Sequence, residues 1–296
     1  YDGMVGAPTL TMTRGDLVKL LKTVLVDGFN ERTPTSFETD NETLIITVTF
    51  DAGHGFYPDQ VVSLTGATDE SLNKEYRVLY ADSTQIHIKN NLPITGGITG
   101  DIKIKVAPLG YTLEYDNISA SGTACFKNKH TTSPSILKII DAVPPNGYDK
   151  NWSRYARVVA GKEIDVNGDF LSNMKIPRHD IYPDMEKTGN GVSGADGIHG
   201  LMKWDYVLYT TTDRGGSEVD QNYGSYPTNW RIIGDDKTFY LMIKPMGRYY
   251  SQYIILSFGC YKSNTNFTDD FILTGSQREI VSNTNSNGKS GVAWRL

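Results

Sequence analysis

Short segments in which every second residue is apolar recur along most of this chain, separated by Gly, Asn, Asp and Ser. This spacing is typical of β-strands with one buried face, and the intervening residues favour turns. The abundance of Gly (29 residues) and Tyr (18 residues) also favours strands and turns over helices. The sequence therefore predicts a mostly β protein.

One segment has helical spacing instead. Apolar side chains recur within residues 16–26 at positions that one face of a helix brings together, namely Leu17, Leu20, Leu21, Val24 and Leu25. Thr13 and Asp16 fit a capping box, and Gly28 fits a helix stop. Because the neighbouring segments offer little to cover this face, we expect the helix to pack on a C-terminal domain.

Short strands are predicted on both sides of the sequence Ala107-Pro108-Leu109-Gly110, which interrupts the pattern. Before it, strands at 44–50, 60–64, 76–80, 85–88 and 102–106 are separated by turns and predict a small antiparallel barrel or sandwich. After it, strands are predicted at 135–140, 154–159, 206–210, 230–233, 239–243 and 253–258. Segments 230–233 and 239–243, joined by Gly234-Asp235-Asp236-Lys237, form the strongest predicted hairpin.

Charge and hydropathy argue against two classes of partner. The chain of 296 residues has 29 Lys and Arg against 34 Asp and Glu, a net charge of -5, and no run of more than two adjacent basic residues. Nucleic-acid binding needs concentrated positive charge, so we expect none. No apolar stretch approaches the ~20 residues needed to span a bilayer, and the start of the sequence lacks a signal-peptide pattern. We therefore expect synthesis in a cytoplasm and no membrane partner.

The two cysteines, Cys125 and Cys260, are far apart and have no zinc-site spacing. They fit either two buried thiols, which a reducing cytosol favours, or one long-range disulfide. We also find no P-loop, no GxGxxG sequence and no nucleophile elbow. The sequence thus predicts no cofactor, no metal and no catalytic residue.

Three polar groups could still serve chemistry. Residues 165–169 (DVNGD) place oxygens as a calcium loop does, but they depart from the EF-hand pattern, so a polar turn is the better interpretation. The pairs Asp235-Asp236 and Asp269-Asp270 could serve a glycosidase, although the place of the first pair in the predicted hairpin turn favours backbone hydrogen bonding. The five histidines, among them His54 and His87, follow no metal-binding pattern and are interpreted as structural or exposed.

Aromatic residues are dense after residue 110. They could form a sugar-stacking platform, but core positions or subunit contacts are the favoured interpretation. We predict that interaction residues include the segment 191–200 and the side chains of Tyr249, Tyr250, Tyr253, Trp230 and Trp204.

The small predicted barrel contains Gly53-His54-Gly55-Phe56, Asp59-Gln60-Val61-Val62 and Leu64-Thr65-Gly66-Ala67-Thr68 in this order. Over residues 41–106 it resembles a small β-barrel module of tailed-bacteriophage virion proteins. That module is in turn similar to the first catalytic-cysteine half-domain of ubiquitin-activating enzymes. The flanking segments 20–28, 107–111, 152–158 and 230–241 resemble a phage structural family into which the module is inserted.

This resemblance implies three regions. Residues 1–36 would be an N-terminal helical segment that packs on the C-terminal domain, residues 37–107 an inserted small β-barrel module, and residues 108–296 a β-sandwich or jelly-roll-like domain. It also implies a non-enzymatic virion structural protein in multiple copies on the tail, baseplate or collar. Its partners would be other virion proteins and copies of itself. A capsid decoration protein, and a virion module that binds a carbohydrate receptor such as a host surface glycan, are the alternatives.

Overall fold

The computed structural model describes residues 4–11, 15–131, 134–141, 155–171, 202–205, 228–244, 254–260 and 271–275. The predicted fold class is confirmed: the protein is mostly β, with one N-terminal helix and several antiparallel sheets that include a half-barrel. The chain folds into two compact units. The small unit contains Gly3–Pro8 and Asp27–Leu109, and the large unit contains Thr9–Val26 and Gly110–Leu296.

The small unit contains one antiparallel sheet of seven strands in the order β1-β7-β4-β5-β6-β3-β2. Its strands are β1 (Phe29–Arg32), β2 (Ser36–Asp40), β3 (Ile45–Thr49), β4 (Val61–Ala67), β5 (Glu75–Ala81), β6 (Gln85–Lys89) and β7 (Gly100–Val106), with a short 3₁₀ helix at Glu70–Leu72. Alternating residues of these strands bury a continuous apolar core, as their period of two predicts. Among them, those at most 1% exposed are Ile46, Val48, Val62, Leu64, Val78, Ile86, Ile88, Ile104 and Val106.

The predicted strand at 44–50 is shorter in the structure. β3 begins at Ile45, and Leu44 belongs to the turn after β2, where it adopts a positive φ of 62°. Asp40 supports this turn, because its carboxylate accepts hydrogen bonds from the backbone N–H groups of Glu42 and Thr43. The turn thus takes the first residue of the predicted alternation out of the sheet.

The helix α1 (Asp16–Lys22) lies in the large unit and continues as a π-helical turn over Thr23–Asp27. Its N-cap residue is Gly15, which has no side chain that could cap the helix. The buried carboxylate of Asp141 takes this role, accepting hydrogen bonds from the N–H groups of Gly15 (2.8 Å) and Leu17 (3.2 Å). The predicted cap Thr13 lies outside the described residues. A partner remote in sequence therefore satisfies the helix N-terminus.

The large unit has two further antiparallel sheets, ordered β12-β11-β10-β9-β8 and β13-β14-β15-β16. The first contains β8 (Thr112–Asn117), β9 (Thr123–Lys127), β10 (Ile136–Ile140), β11 (Tyr155–Gly161) and β12 (Met202–Asp205), with a one-turn helix α2 (Ile118–Ser121) between β8 and β9. The second contains β13 (Asn229–Gly234), β14 (Thr238–Lys244), β15 (Ile254–Cys260) and β16 (Phe271–Gly275). The described strands of each sheet follow one another in chain order.

The central strands β9 and β10 are buried on both faces, since four of their five residues are buried in each case. On one face Cys125, Ile136, Val159 and Phe170 form a cluster. Gly161 is required there because a Cβ atom at this position would lie 2.4 Å from the Phe170 ring. Such two-sided burial explains the nearly continuous apolar sequence of β10.

The hairpin predicted around residues 234–237 is confirmed, with Gly234 opposite Phe239 and Trp230 opposite Ile243. The strand predicted at 206–210 lies outside the described residues. In the part of the chain that the structure describes, no helix has the length and apolar character needed to cross a membrane.

Candidate functional site

The acidic residues of the possible calcium loop at 165–169 form hydrogen bonds within a turn. Asp165 Oδ1 accepts hydrogen bonds from the N–H groups of Asn167 (2.8 Å) and Asp169 (2.9 Å), and the bond from Asp169 is the main cause of the lowered pKa of Asp165. The Asp169 carboxylate is 2.7 Å from the ammonium group of the buried Lys138. Residues 165–169 are therefore a polar turn, as interpreted from the sequence. Within the described ranges, no three His, Cys, Asp or Glu residues are placed to hold a metal ion.

Asp235 has the same kind of role in the β13–β14 turn. Its Oδ1 accepts hydrogen bonds from the N–H groups of Lys237 and Thr238, both at 2.9 Å. This is the backbone bonding for which Asp is favoured in turns. The carboxylate thus fixes the hairpin connection.

Cys125 is a free thiol and is fully buried in β9. Burial raises the pKa of Cys125 to about 12, so the thiol is protonated at neutral pH and unreactive. Of the two states predicted for the cysteines, the buried thiol therefore holds for Cys125. The side chain of Cys260 lies outside the described part of the structure.

His54 is 1% exposed and packs against two aromatic rings of the small unit, which also contact each other. Its ring is stacked on Phe56, with centroids 5.4 Å apart, and lies 4.9 Å from the ring of Phe50. Nδ1 accepts a hydrogen bond from the Phe56 N–H group (3.0 Å), which places the proton of the neutral ring on Nε2. Desolvation lowers the pKa of His54, so the neutral ring is a structural core group.

The predicted interaction residues are only partly described. Tyr249, Tyr250, Tyr253 and the segment 191–200 lie outside the described residues. Trp204 lies on β12 opposite Ala156, and its side chain is not among the described ones. Trp230 is 6% exposed and faces the core of the large unit. The most exposed aromatic rings among the described residues are those of Tyr57, Tyr80 and Tyr240, none of which was predicted as an interaction residue.

The outer face of the small unit carries an exposed cluster that the sequence did not single out. We define the bulge surface as Val61, Arg77, Leu79 and Tyr80. Leu79 and Tyr80 are each 48% exposed, and Val61 is 38% exposed. A contiguous exposed apolar group of this kind is typical of an interaction site.

A β-bulge in β5 produces this surface. Val78 pairs with Ile88 of β6 and Tyr80 with His87, so Leu79 is an extra residue without a partner on β6. Without the bulge, Leu79 and Tyr80 would point to opposite faces of the sheet. With it, both side chains are half exposed. Because the extra residue shifts the alternation inside a strand, the periodicity of the sequence alone did not reveal the surface.

Neighbouring groups hold the bulge surface in place. The ring of Tyr80 lies 4.9 Å from that of His87 on β6. Arg77 is opposite Val61 in the β4–β5 pairing, and its Nε and Nη2 donate to Asp59 Oδ1 at 3.0 and 2.5 Å. Asp59 has a positive φ of 68°, a left-handed conformation that Asp adopts more readily than most residues other than Gly. Its carboxylate therefore lies beside Arg77 at the border of the bulge surface.

Exposed apolar side chains also lie on the four-stranded sheet of the large unit. Ile233 and Tyr240 are cross-strand neighbours and are 56% and 39% exposed, and Ile255 on β15, which is opposite Met242, is 39% exposed. The opposite face of this sheet is its buried side, with Ile232, Leu241 and Leu256 fully buried. Each unit therefore presents apolar side chains on a sheet face that is not its core.

No protein family and no curated protein sequence matches this chain. Among solved structures, the phage phi92 endosialidase aligns with 84% of this chain and 35% of its own length, at 10% identity and a TM-score of 0.22. The chain thus spans about a third of that structure. A likeness at this TM-score supports no conclusion about the fold or function of the chain.

Proposed function

We propose that this chain is a non-enzymatic structural protein of a tailed-bacteriophage virion, present in multiple copies on the tail, baseplate or collar. The observation that carries the proposal is the compact small unit. The residues that resemble the phage module, 41–106, lie within it and supply strands β3 to β7 of its single sheet.

The arrangement of the described side chains supports a role in assembly. Among the acidic groups considered for chemistry, Asp235 accepts hydrogen bonds from the N–H groups of its own turn and Asp169 pairs with Lys138. Exposed apolar and aromatic side chains lie instead on the sheet faces, as at Tyr80 and Ile233. Surfaces of this composition suit contacts in symmetric assemblies, where Tyr and Arg are enriched.

The test is to locate the chain in purified virions. Heads and tails would be separated and the chain quantified in each fraction by mass spectrometry, with the major capsid protein and the tail-tube protein of the same virion as fraction markers. We expect recovery with tails, in a copy number that is about a multiple of three or six, as cyclic symmetry requires.

Two other outcomes would count against this proposal. Recovery with heads in much larger numbers would identify a capsid decoration protein instead of a tail component. Absence from both fractions would overturn the structural role. In that case purified protein would be assayed for binding to and hydrolysis of host-surface glycans.

A further inference from the structure

We propose that the bulge surface is a contact between two copies of this chain. The inference deepens the proposed function, because a protein present in many copies meets its own surface at high local concentration. The partner at this surface is a second copy of the chain, which presents the same four residues.

The bulge surface is continuous on one side of the sheet. Val61 and Arg77 are direct cross-strand partners, and Leu79 follows Arg77 on the same face of β5. The bulge then adds Tyr80 beside Leu79, and Tyr80 contacts His87 on β6. The four residues of the bulge surface therefore lie on two adjacent strands, and His87 of a third strand borders them.

Its composition is that of an interface centre. Tyr and Arg are among the residues most often found at energetic centres of protein contacts, where neighbouring contacts help to exclude water. The ring contact with His87 restricts Tyr80 before binding, which lowers the entropy that must be lost on association. Burial of Leu79 and Val61 would supply the apolar area.

The charges favour a copy of the chain over a strongly charged partner. Arg77 and Asp59 form an ion pair at this surface, with side chains 66% and 75% exposed, and the exposed Glu75 and Lys89 lie on the same sheet face, so the surface carries charges of both signs. In a two-fold contact the same patch faces itself, and each patch must therefore complement its own charges. One exposed cation beside one exposed anion satisfies this condition, since the Arg77 of each copy can meet the Asp59 of the other.

The edge strands of the same sheet carry features that oppose pairing with strands of other chains, and its outer face does not. The edge strand β2 carries exposed acidic side chains at Glu38 and Asp40, and the edge strand β1 contains Asn30 with a positive φ of 56°. Charges and irregular backbone at edge strands oppose pairing with strands of other chains. Self-association of the small unit is therefore directed to its outer face.

The first test measures association of the full chain by sedimentation equilibrium at concentrations up to about 100 µM, a range that detects contacts of micromolar Kd. The wild-type chain is expected to self-associate. Leu79→Glu and, separately, Tyr80→Ser are expected to weaken Kd by at least about tenfold, as for residues at an interface centre. Leu92→Glu is the matched control, because Leu92 is 71% exposed in another part of the same unit.

Unchanged thermal unfolding would show that each variant is folded. A wild-type chain that stays monomeric over this range, or folded Leu79→Glu and Tyr80→Ser variants that associate like Leu92→Glu, would overturn the inference.

A second test identifies the contact directly. A photoreactive benzoylphenylalanine replaces Tyr80 in an equal mixture of ¹⁴N- and ¹⁵N-labelled full chains, and the cross-linked peptides are analysed by mass spectrometry. Mixed-label peptides that join position 80 to residues 57–61 or 77–87 are expected. Mixed-label peptides that join it only to other regions would contradict the two-fold contact.

The outcomes separate this inference from the proposed function. If the chain is found in tails but its association does not depend on Leu79, the proposed function is supported and the proposed interface is wrong. If the chain associates through Leu79 but is absent from virions, the proposed interface is supported and the proposed function is wrong.

Discussion

Asp141 stabilises a helix that is distant from it in sequence. Its fully buried carboxylate accepts hydrogen bonds from the N–H groups of Gly15 and Leu17 at the start of α1. Removal of a buried acceptor leaves these donors unsatisfied. We expect Asp141→Ala to lower the free energy of unfolding of the large unit by about 1–3 kcal/mol, measured by urea denaturation.

Asp141→Asn and Glu163→Ala are the controls for this prediction. The amide of Asn keeps an acceptor but loses the charge that favours a helix N-terminus, so a smaller loss is expected than for Ala. The Glu163 side chain is exposed, and its removal is expected to change stability by no more than about 0.5 kcal/mol. Equal losses for Asp141→Ala and Glu163→Ala would refute the capping role.

His54 makes the stability of the small unit depend on pH. Its folded-state pKa is lowered from 6.5 chiefly by desolvation and also by Arg32, against the raising effects of the Asp82 and Gln85 backbone and the Asp82 charge. The unfolded chain therefore binds the proton more readily. This contribution to stability is complete above pH 6.5 and is lost as pH falls from 6.5 towards the folded-state pKa.

The measurement is thermal unfolding of the full chain between pH 7.5 and pH 5. In His54→Asn the side-chain oxygen can take the position of Nδ1 and accept from the Phe56 N–H group, but no group titrates there. We expect this variant to be less stable at pH 7.5 and to lose less stability on acidification than the wild type. If the stability of His54→Asn falls with pH as steeply as that of the wild type, His54 is not the source of the pH dependence.

At the scale of elements, Gly28 determines how the helical segment gives way to β1. It has a φ of +75°, and a Cβ atom there would lie 2.5 Å from the carbonyl oxygen of Val106. Left-handed backbone alone costs a non-Gly residue about 1–2 kcal/mol, and the clash adds to it. We expect Gly28→Ala to destabilise the small unit by at least this amount in urea denaturation. Gly97→Ala, where a Cβ meets nothing within 4 Å, should leave stability unchanged.

Most elements with a buried face were predicted, but β9 was missed although four of its five residues are buried. Strands β4 to β7 and the β13–β14 hairpin follow from alternating apolar residues and turn sequences. Strand β2 was missed because most of its side chains are exposed, so it shows no apolar alternation. The helix was predicted through residue 26, but α1 ends at Lys22 and a π-helical turn follows. Apolar spacing does not distinguish an α-helical from a π-helical last turn.

The candidate site was predicted less well than the fold for a related reason. The aromatic residues chosen from the sequence include Trp230, which is buried, because large aromatic side chains fill cores as readily as interfaces. Tyr80 was assigned only to a strand, and its exposure depends on the unpaired Leu79. A bulge depends on pairing with another strand, which is information that local sequence does not contain.

At the scale of the whole molecule, the large unit is made of two segments separated by the small unit. The two segments meet where the small unit leaves and returns, because the carbonyl oxygen of Leu25 accepts hydrogen bonds from the N–H groups of Gly110 (3.0 Å) and Tyr111 (2.9 Å). The chain ends flanking the small unit are thus already close together within the large unit. A short connection between them costs little closure entropy.

We therefore expect the large unit to fold without residues 27–109. A chain in which a Gly-Ser linker of about four residues joins residues 9–26 to residues 110–296 keeps α1, its bond to Asp141 and both sheets, all of which lie within this unit. Circular dichroism and urea denaturation should show a β-rich protein with cooperative unfolding. Deletion of residues 123–127, which form the central strand β9, is the contrasting control and should abolish folding. Loss of cooperative unfolding in the linked chain, comparable to that of the β9 deletion, would mean that the large unit requires the small one.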